Sequence, residues 1–145
     1  MSAIEMNRVS FSYSNGLVLR DVNLCVRKGE MIGLIGPNGA GKTTLIRLIS
    51  GLLNARQGEL KLDGLHAAKV KRNALAREVA VVPQQFSIPF GYRVEEVVML
   101  GRTPFMKPFH DSSVKDKDVV ARTMDTVDIR RLEGRHFNEL SGGER

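Results

Sequence analysis

These 145 residues predict an α/β fold, on three observations. Alternating apolar and polar residues open the chain as strands. A continuous apolar run at 31–35, MIGLI, leads straight into a glycine-rich loop. An amphipathic helical pattern, KTTLIRLISGLL, leaves that loop at once. A composition of 42% hydrophobic and 26% charged residues suits one soluble globular domain or part of a larger one.

The elements follow in order. AIEMNRVSFSYS and LVLRDVNLCVR read as two strands joined by a turn at Asn15 and Gly16. Lys28, Gly29 and Glu30 make a second turn, and the run at 31–35 has turn signals on both sides, as a buried central strand should. In the helix after the loop, Leu45, Leu48, Ile49 and Leu52 share a face, with Gly51 near the C-terminal end. GELKLDG is another short strand, Leu75 belongs to a short polar helix, and EVAVVPQ returns to a buried strand stopped by Pro83. Beyond it Pro89, Pro104 and Pro108 interrupt the pattern, and RVEEVVMLG and SVKDKDVVARTMDTVDI are helical. The expected organisation is a strand-rich α/β core over 1–85, a mainly helical part over 86–140, and the start of a further helix at 141–145.

Charge decides little. The net charge of +6, from 22 basic and 16 acidic residues, is compatible with nucleotides, nucleic acid or an acidic membrane face. It fits scattered solvated side chains equally well. Cys25 is the only cysteine, which excludes an intrachain disulfide and suits a reducing compartment. No apolar run approaches the roughly 18–20 residues of a spanning helix, and the first residues lack a signal-peptide pattern. His66, His110 and His136 are too widely separated for metal-ligand spacing.

The chemistry begins in the loop. GLIGPNGAGKTTL matches G-x-x-x-x-G-K-[ST] at Gly36, Gly41, Lys42 and Thr43, the pattern of a P-loop NTPase fold. Glycines let backbone N–H groups turn inward on a phosphate with no Cβ in the way. The helix that follows adds its positive N-terminal end. Lys42 would place a full charge on the β- and γ-phosphates, and the Thr43 hydroxyl would ligate Mg²⁺. The candidate cradle is Gly36, Pro37, Asn38, Gly39, Ala40, Gly41, Lys42, Thr43 and Thr44, the last through a further phosphate hydrogen bond. A strand before the loop and a helix after it are the context this motif requires.

LSGGE, at Leu140, Ser141, Gly142, Gly143 and Glu144, separates the phosphate-loop proteins from one another. Read alone it is an ordinary flexible turn. With GPNGAGKTT, with the strand end at Gln84, and with Ser141 standing 98 residues after Thr43, the chain resembles the ATP-binding subunit of an ABC transporter along essentially its whole length. That resemblance implies the ABC-ATPase fold with a helical subdomain, and ATP with Mg²⁺ as its ligands. It gives Tyr13 the stacking of adenine, although Val9, Phe11 and Tyr13 also share a strand face as core residues would. It gives Gln84 a catalytic position near Mg²⁺ and the attacking water, with Thr43 and Gln84 as metal contacts and a one-residue ambiguity with Gln85. Ser141, Gly142 and Gly143 would cover the γ-phosphate bound to an opposite subunit in a head-to-tail homodimer, and Glu144 stands where glutamine is commoner.

The stretch EEVVMLGRTPFMKP resembles the helical insert of ATPases that import iron–siderophore, haem or cobalamin, although Val97, Val98 and Leu100 suit an ordinary helix core too. The importer resemblance implies an integral-membrane permease as partner and a periplasmic or surface substrate-binding protein served indirectly. It also implies a peripheral place on the cytoplasmic face of the plasma (inner) membrane, and no nucleic-acid partner. The alternative is a non-transport ABC-type ATPase acting on the ribosome or DNA, which the basic charge suits.

The family's hydrolytic parts include an apolar strand ending in Asp-Glu and a later histidine, and no such string occurs in these residues. The fold is therefore expected to be incomplete, lacking C-terminal strands. The isolated chain is expected to fold poorly, and to bind ATP while hydrolysing it negligibly. Each missing transition-state group costs roughly 10²–10⁴-fold.

Overall fold

The computed structural model describes residues 2–14, 16–84, 88, 90–107 and 112–145. They form two compact units, Met1–Val81 and Val82–Arg145.

In the first unit, β1 (Ser2–Tyr13) and β2 (Gly16–Arg27) pair antiparallel, as the alternation predicts. Asn15 of the expected turn lies outside the described residues. β3 (Gln57–Leu62) pairs with the other edge of β1, and β4 (Leu65–His66) pairs with β3, giving the antiparallel order β2-β1-β3-β4. The register of β1 slips between Met6 and Val9, where Arg8 has φ 48°. One extra residue there moves the buried face from the even position Met6 to the odd positions Val9 and Phe11. Gly58 (φ 81°) faces this bulge, and a Cβ on it would overlap the Arg8 carbonyl. The Arg8 N–H, freed from the ladder, donates to Asn23 Oδ1 at 2.9 Å.

Two helices close the core of this unit. α1 (Lys42–Ile49) contributes Leu45 and Leu48, and α2 (Arg72–Glu78) contributes Leu75, against Met6, Val9, Phe11, Leu60 and Leu62. Burial of each such side chain is worth about 1.5–3 kcal/mol. α1 is shorter than the sequence predicts. Gly51 turns left-handed (φ 72°) while the Leu52 and Leu53 N–H groups fold back on Arg47 O at 2.9 and 3.1 Å. Leu52, expected on the buried face, is thereby 68% exposed.

Two expected strands are not strands. Residues 31–35 run without sheet partners into the loop, with Met31 and Ile35 both 96% exposed. Residues 79–83 are likewise irregular, and Val82 is 95% exposed. A buried parallel strand needs hydrogen-bonding neighbours to satisfy its backbone. Among the described residues, the sheet offers neither run a neighbour.

The second unit is built on helices. α3 (Val94–Leu100) and α4 (Val114–Thr126) pack with short 3₁₀ turns at 130–132 and 137–139. Its core is Ile88, Val94, Val120, Met124, Leu132, Phe137 and Leu140. Main-chain bonds from Val94 N to Arg135 O (3.0 Å) and from Phe137 N to Tyr92 O (2.9 Å) tie its two ends together. In the LGRTPF stretch Arg102 has partners within this unit. Its Nε donates to Asp116 Oδ1 at 3.0 Å while its guanidinium lies 4.3 Å from the Phe105 ring centre. Asp116 also caps α4, accepting from the Ser113 N–H (3.1 Å) and hydroxyl (2.6 Å) while its own N–H donates to Ser113 Oγ. Pro89, Pro108 and His110 lie outside the described residues.

Candidate nucleotide-binding site

The loop at 36–41 is built to expose backbone. Gly39 and Gly41 have φ of 84° and 85°, a left-handed conformation that a side chain would strain. A Cβ on Gly41 would also lie 2.8 Å from Leu19 Cδ2 and 3.3 Å from Val18 O, so glycine alone fits where the loop meets β2. The Ala40 N–H closes a turn on Pro37 O at 3.3 Å, and the Leu45 N–H reaches Gly41 O at 2.9 Å as α1 begins. Gly36, Pro37, Asn38, Gly39 and Ala40 are exposed.

Lys42 folds over the loop. Its Nζ donates to Gly36 O at 2.7 Å and Pro37 O at 2.6 Å. The ammonium thus stands at the mouth of a curve of backbone, where a phosphate oxygen would meet it. Thr43, the first residue after Lys42 in α1, is exposed. Thr44 is buried and bonds the Tyr13 hydroxyl. That bond, with a second to Arg47, lowers the Tyr13 pKa from its ordinary value. The Tyr13 ring is 40% exposed and stands edge-on to Phe11, with ring centres 4.9 Å apart. Tyr13 thus packs one side on a core residue, as its strand face predicts, and leaves the rest to solvent. Sequence reasoning missed Arg47, whose place one turn after Thr44 on the same helix was the available signal.

Gln84 is exposed in the second unit, at the end of a run that forms no strand; Gln85 lies outside the described residues. The signature is also in the second unit. Leu140 is buried in the core, and the segment then makes one turn, with the Arg145 N–H on Ser141 O at 3.2 Å. Arg145 braces it from behind, with Nε on Leu140 O (3.0 Å) and Nη2 on Asn138 O (2.8 Å). Gly142 and Gly143 are exposed, with nothing within 4 Å of the position a Cβ would take. Glu144 Oε2 accepts from the Ser141 N–H (3.0 Å) and hydroxyl (2.8 Å). These bonds come first among the causes that hold the Glu144 carboxyl below the usual carboxylate range, with the charge of Arg135 and a bond from Arg131 adding to them. Among the described residues no three His, Cys, Asp or Glu side chains gather as a metal site. No described helix is long and apolar enough to cross a membrane.

Comparison with known proteins bears on these features together. Residues 19–145 match the ABC transporter family. The chain is similar to the hemin import ATP-binding protein HmuV of Pseudomonas fluorescens (strain Pf0-1), at 41% identity over 128 residues. That match covers 88% of this chain and 49% of the relative. Its fold is similar to that of a metal-chelate type ABC transporter in an inward-facing conformation, with a TM-score of 0.79 and 28% identity over 99% of this chain and 52% of that one. It is similar also to the dimeric post-hydrolysis state of the ATP-binding cassette MJ0796 bound to ADP and Pi, with a TM-score of 0.77 and 25% identity over 97% and 64% of the two chains. The chain spans about half the length of the curated relatives it matches. A phosphate loop that opens a helix, a signature turn seated on a helical core, and a match over 19–145 agree: the chain belongs to the ABC transporter family.

Proposed function

We propose that this chain is the ATP-holding portion of an import ATPase, one that couples nucleotide binding to uptake of a metal chelate through a separate membrane permease. The observation that carries the reading is the Lys42 ammonium, 2.7 and 2.6 Å from the Gly36 and Pro37 carbonyls, over a loop with two left-handed glycines. Such a loop offers inward N–H donors, and such a lysine offers a mobile cation for the β- and γ-phosphates. Thr43 would hold Mg²⁺, which when bound neutralises phosphate charge. Tyr13 would supply the face for adenine. Gln84 would approach the same phosphates, and Leu140, Ser141, Gly142, Gly143 and Glu144 would face a nucleotide held by a second subunit. The metal-chelate class is supported by the names of the hemin importer and the metal-chelate type transporter this chain resembles. A permease, an ATPase homodimer and an indirect substrate-binding protein follow from that class, as does a peripheral place on the cytoplasmic side of the membrane.

Within these residues no apolar run ends in Asp-Glu, and the reading includes negligible turnover by the chain alone. Equilibrium binding of trinitrophenyl-ATP with Mg²⁺ tests it. Binding without phosphate release is expected, and Lys42→Ala should weaken it at least a hundredfold, about 2.7 kcal/mol. Unchanged affinity in that variant would refute the phosphate-loop assignment.

A further inference from the structure

The signature serine already has an anion on it. Its N–H and hydroxyl both donate to one oxygen of Glu144, Oε2, at 3.0 and 2.8 Å. The other oxygen, Oε1, faces Arg131 Nη1 at 3.5 Å and Arg135 Nη1 at 3.6 Å. One carboxylate therefore lies between two places, a pair of donors on Ser141 and a pair of guanidinium groups behind it. The turn has other supports, because Leu140 is buried and Arg145 bonds the Leu140 and Asn138 carbonyls.

We propose that Glu144 is an internal competitor for the phosphate-facing donors of Ser141, and that Arg131 and Arg135 form the place to which it withdraws. The proposal rests on the reading of Ser141, Gly142 and Gly143 as a turn that faces phosphate. A serine hydroxyl has a single proton. While that proton is given to the carboxylate, the oxygen presents only lone pairs to an arriving phosphate, and the Glu144 charge repels it. Withdrawal onto the two arginines returns the N–H and O–H donors to the solvent side. It also exchanges one set of charge-assisted bonds for another of the same kind. Glu144, Arg131 and Arg135 are thus positioning residues that set how readily the turn accepts an anion, and they need not touch the nucleotide.

Titration of the 145-residue chain with inorganic phosphate, followed through backbone amide resonances, tests this. The Ser141, Gly142 and Gly143 amides report the signature, and the Gly39 and Gly41 amides report the phosphate loop separately. E144Q keeps an acceptor for the Ser141 N–H and loses the charge. It should tighten phosphate binding at the signature about tenfold and leave the loop unchanged. E144A, which leaves the Arg145 bonds in place, must give a gain in the same direction. Replacing Arg131 and Arg135 together by glutamine should weaken signature binding about tenfold when Glu144 is present, and by less than about twofold in the E144Q background. Equal phosphate affinity with and without the Glu144 charge would overturn the proposal. So would equal losses from the arginine changes in both backgrounds, because the guanidinium groups would then hold the phosphate themselves. If no variant shifts the 141–143 amides, the reading of the signature falls and this inference with it; shifts that ignore Glu144 remove the inference alone.

Discussion

In the phosphate loop a cation rests on carbonyl oxygens, whereas in the signature turn an anion rests on hydroxyl and N–H donors. Lys42 covers Gly36 and Pro37, and Glu144 covers Ser141. Both turns satisfy polar groups internally, but under the proposed function the partner would be an ally of phosphate in one and a rival in the other. Their support differs as well. The loop is exposed and anchored where Gly41 meets β2 and α1. The signature hangs from a buried leucine and is braced by an arginine. The two turns are thus built on opposite principles, an open backbone covered by a cation and a pinned turn with a capped donor.

If the two supports are separate, core truncations should act locally. Leu48→Ala, in the core of the first unit, and Leu132→Ala, in the helical core, are each expected to cost about 2–5 kcal/mol. Hydrogen exchange should show faster opening of β1 and α1 in the first variant and of the 130–140 region in the second. Equal loosening of both regions by either change would break the comparison.

A smaller effect should come from the bulge in β1. Gly58→Ala puts a methyl against the Arg8 carbonyl at a left-handed position, and about 1–3 kcal/mol of destabilisation is expected in urea melts. Phosphate affinity at 36–44 should survive, since neither Gly58 nor Arg8 belongs to the loop or to α1. In the helical unit, Ser113→Ala removes the cap of α4 at a cost of about 1 kcal/mol, measured by the same melts.

The smallest effect is one of pH. Bonds from the Ser113 hydroxyl and from Arg102, in that order, hold the Asp116 carboxyl below the usual carboxylate range. Its contribution is therefore complete above the unfolded carboxylate value of about 3.9. It declines as pH falls below that value and through the depressed folded value. Acid titration of helical circular dichroism should show this loss, and Asp116→Asn should flatten it.

The helical pattern of α4, the β1–β2 hairpin and the glycine-lysine loop were legible because each is specified locally, by period, turn residues or a short motif. The run at 31–35 was read as a buried strand because its five apolar residues suit one. Burial depends on neighbours that such a run cannot supply for itself. Leu52 departs from the periodicity for a local reason, since the helix ends at Ile49 and left-handed Gly51 turns the chain away before Leu52. At the site, the motif named Lys42 and Ser141 but left Glu144 as a mere departure from a commoner glutamine. Its reach to Arg131 and Arg135 spans 13 and 9 residues of chain and follows from no pattern in it.

The edge-on packing of Tyr13 has a spectroscopic consequence. The chain has no tryptophan and two tyrosines; Tyr13 bonds Thr44 in α1 and Tyr92 packs against the helical core. Each unit therefore carries its own ultraviolet emitter. A base laid on Tyr13 would dim one of the two emitters while the other contributed a constant background, so nucleotide occupancy could be followed by intrinsic light emission with no label attached.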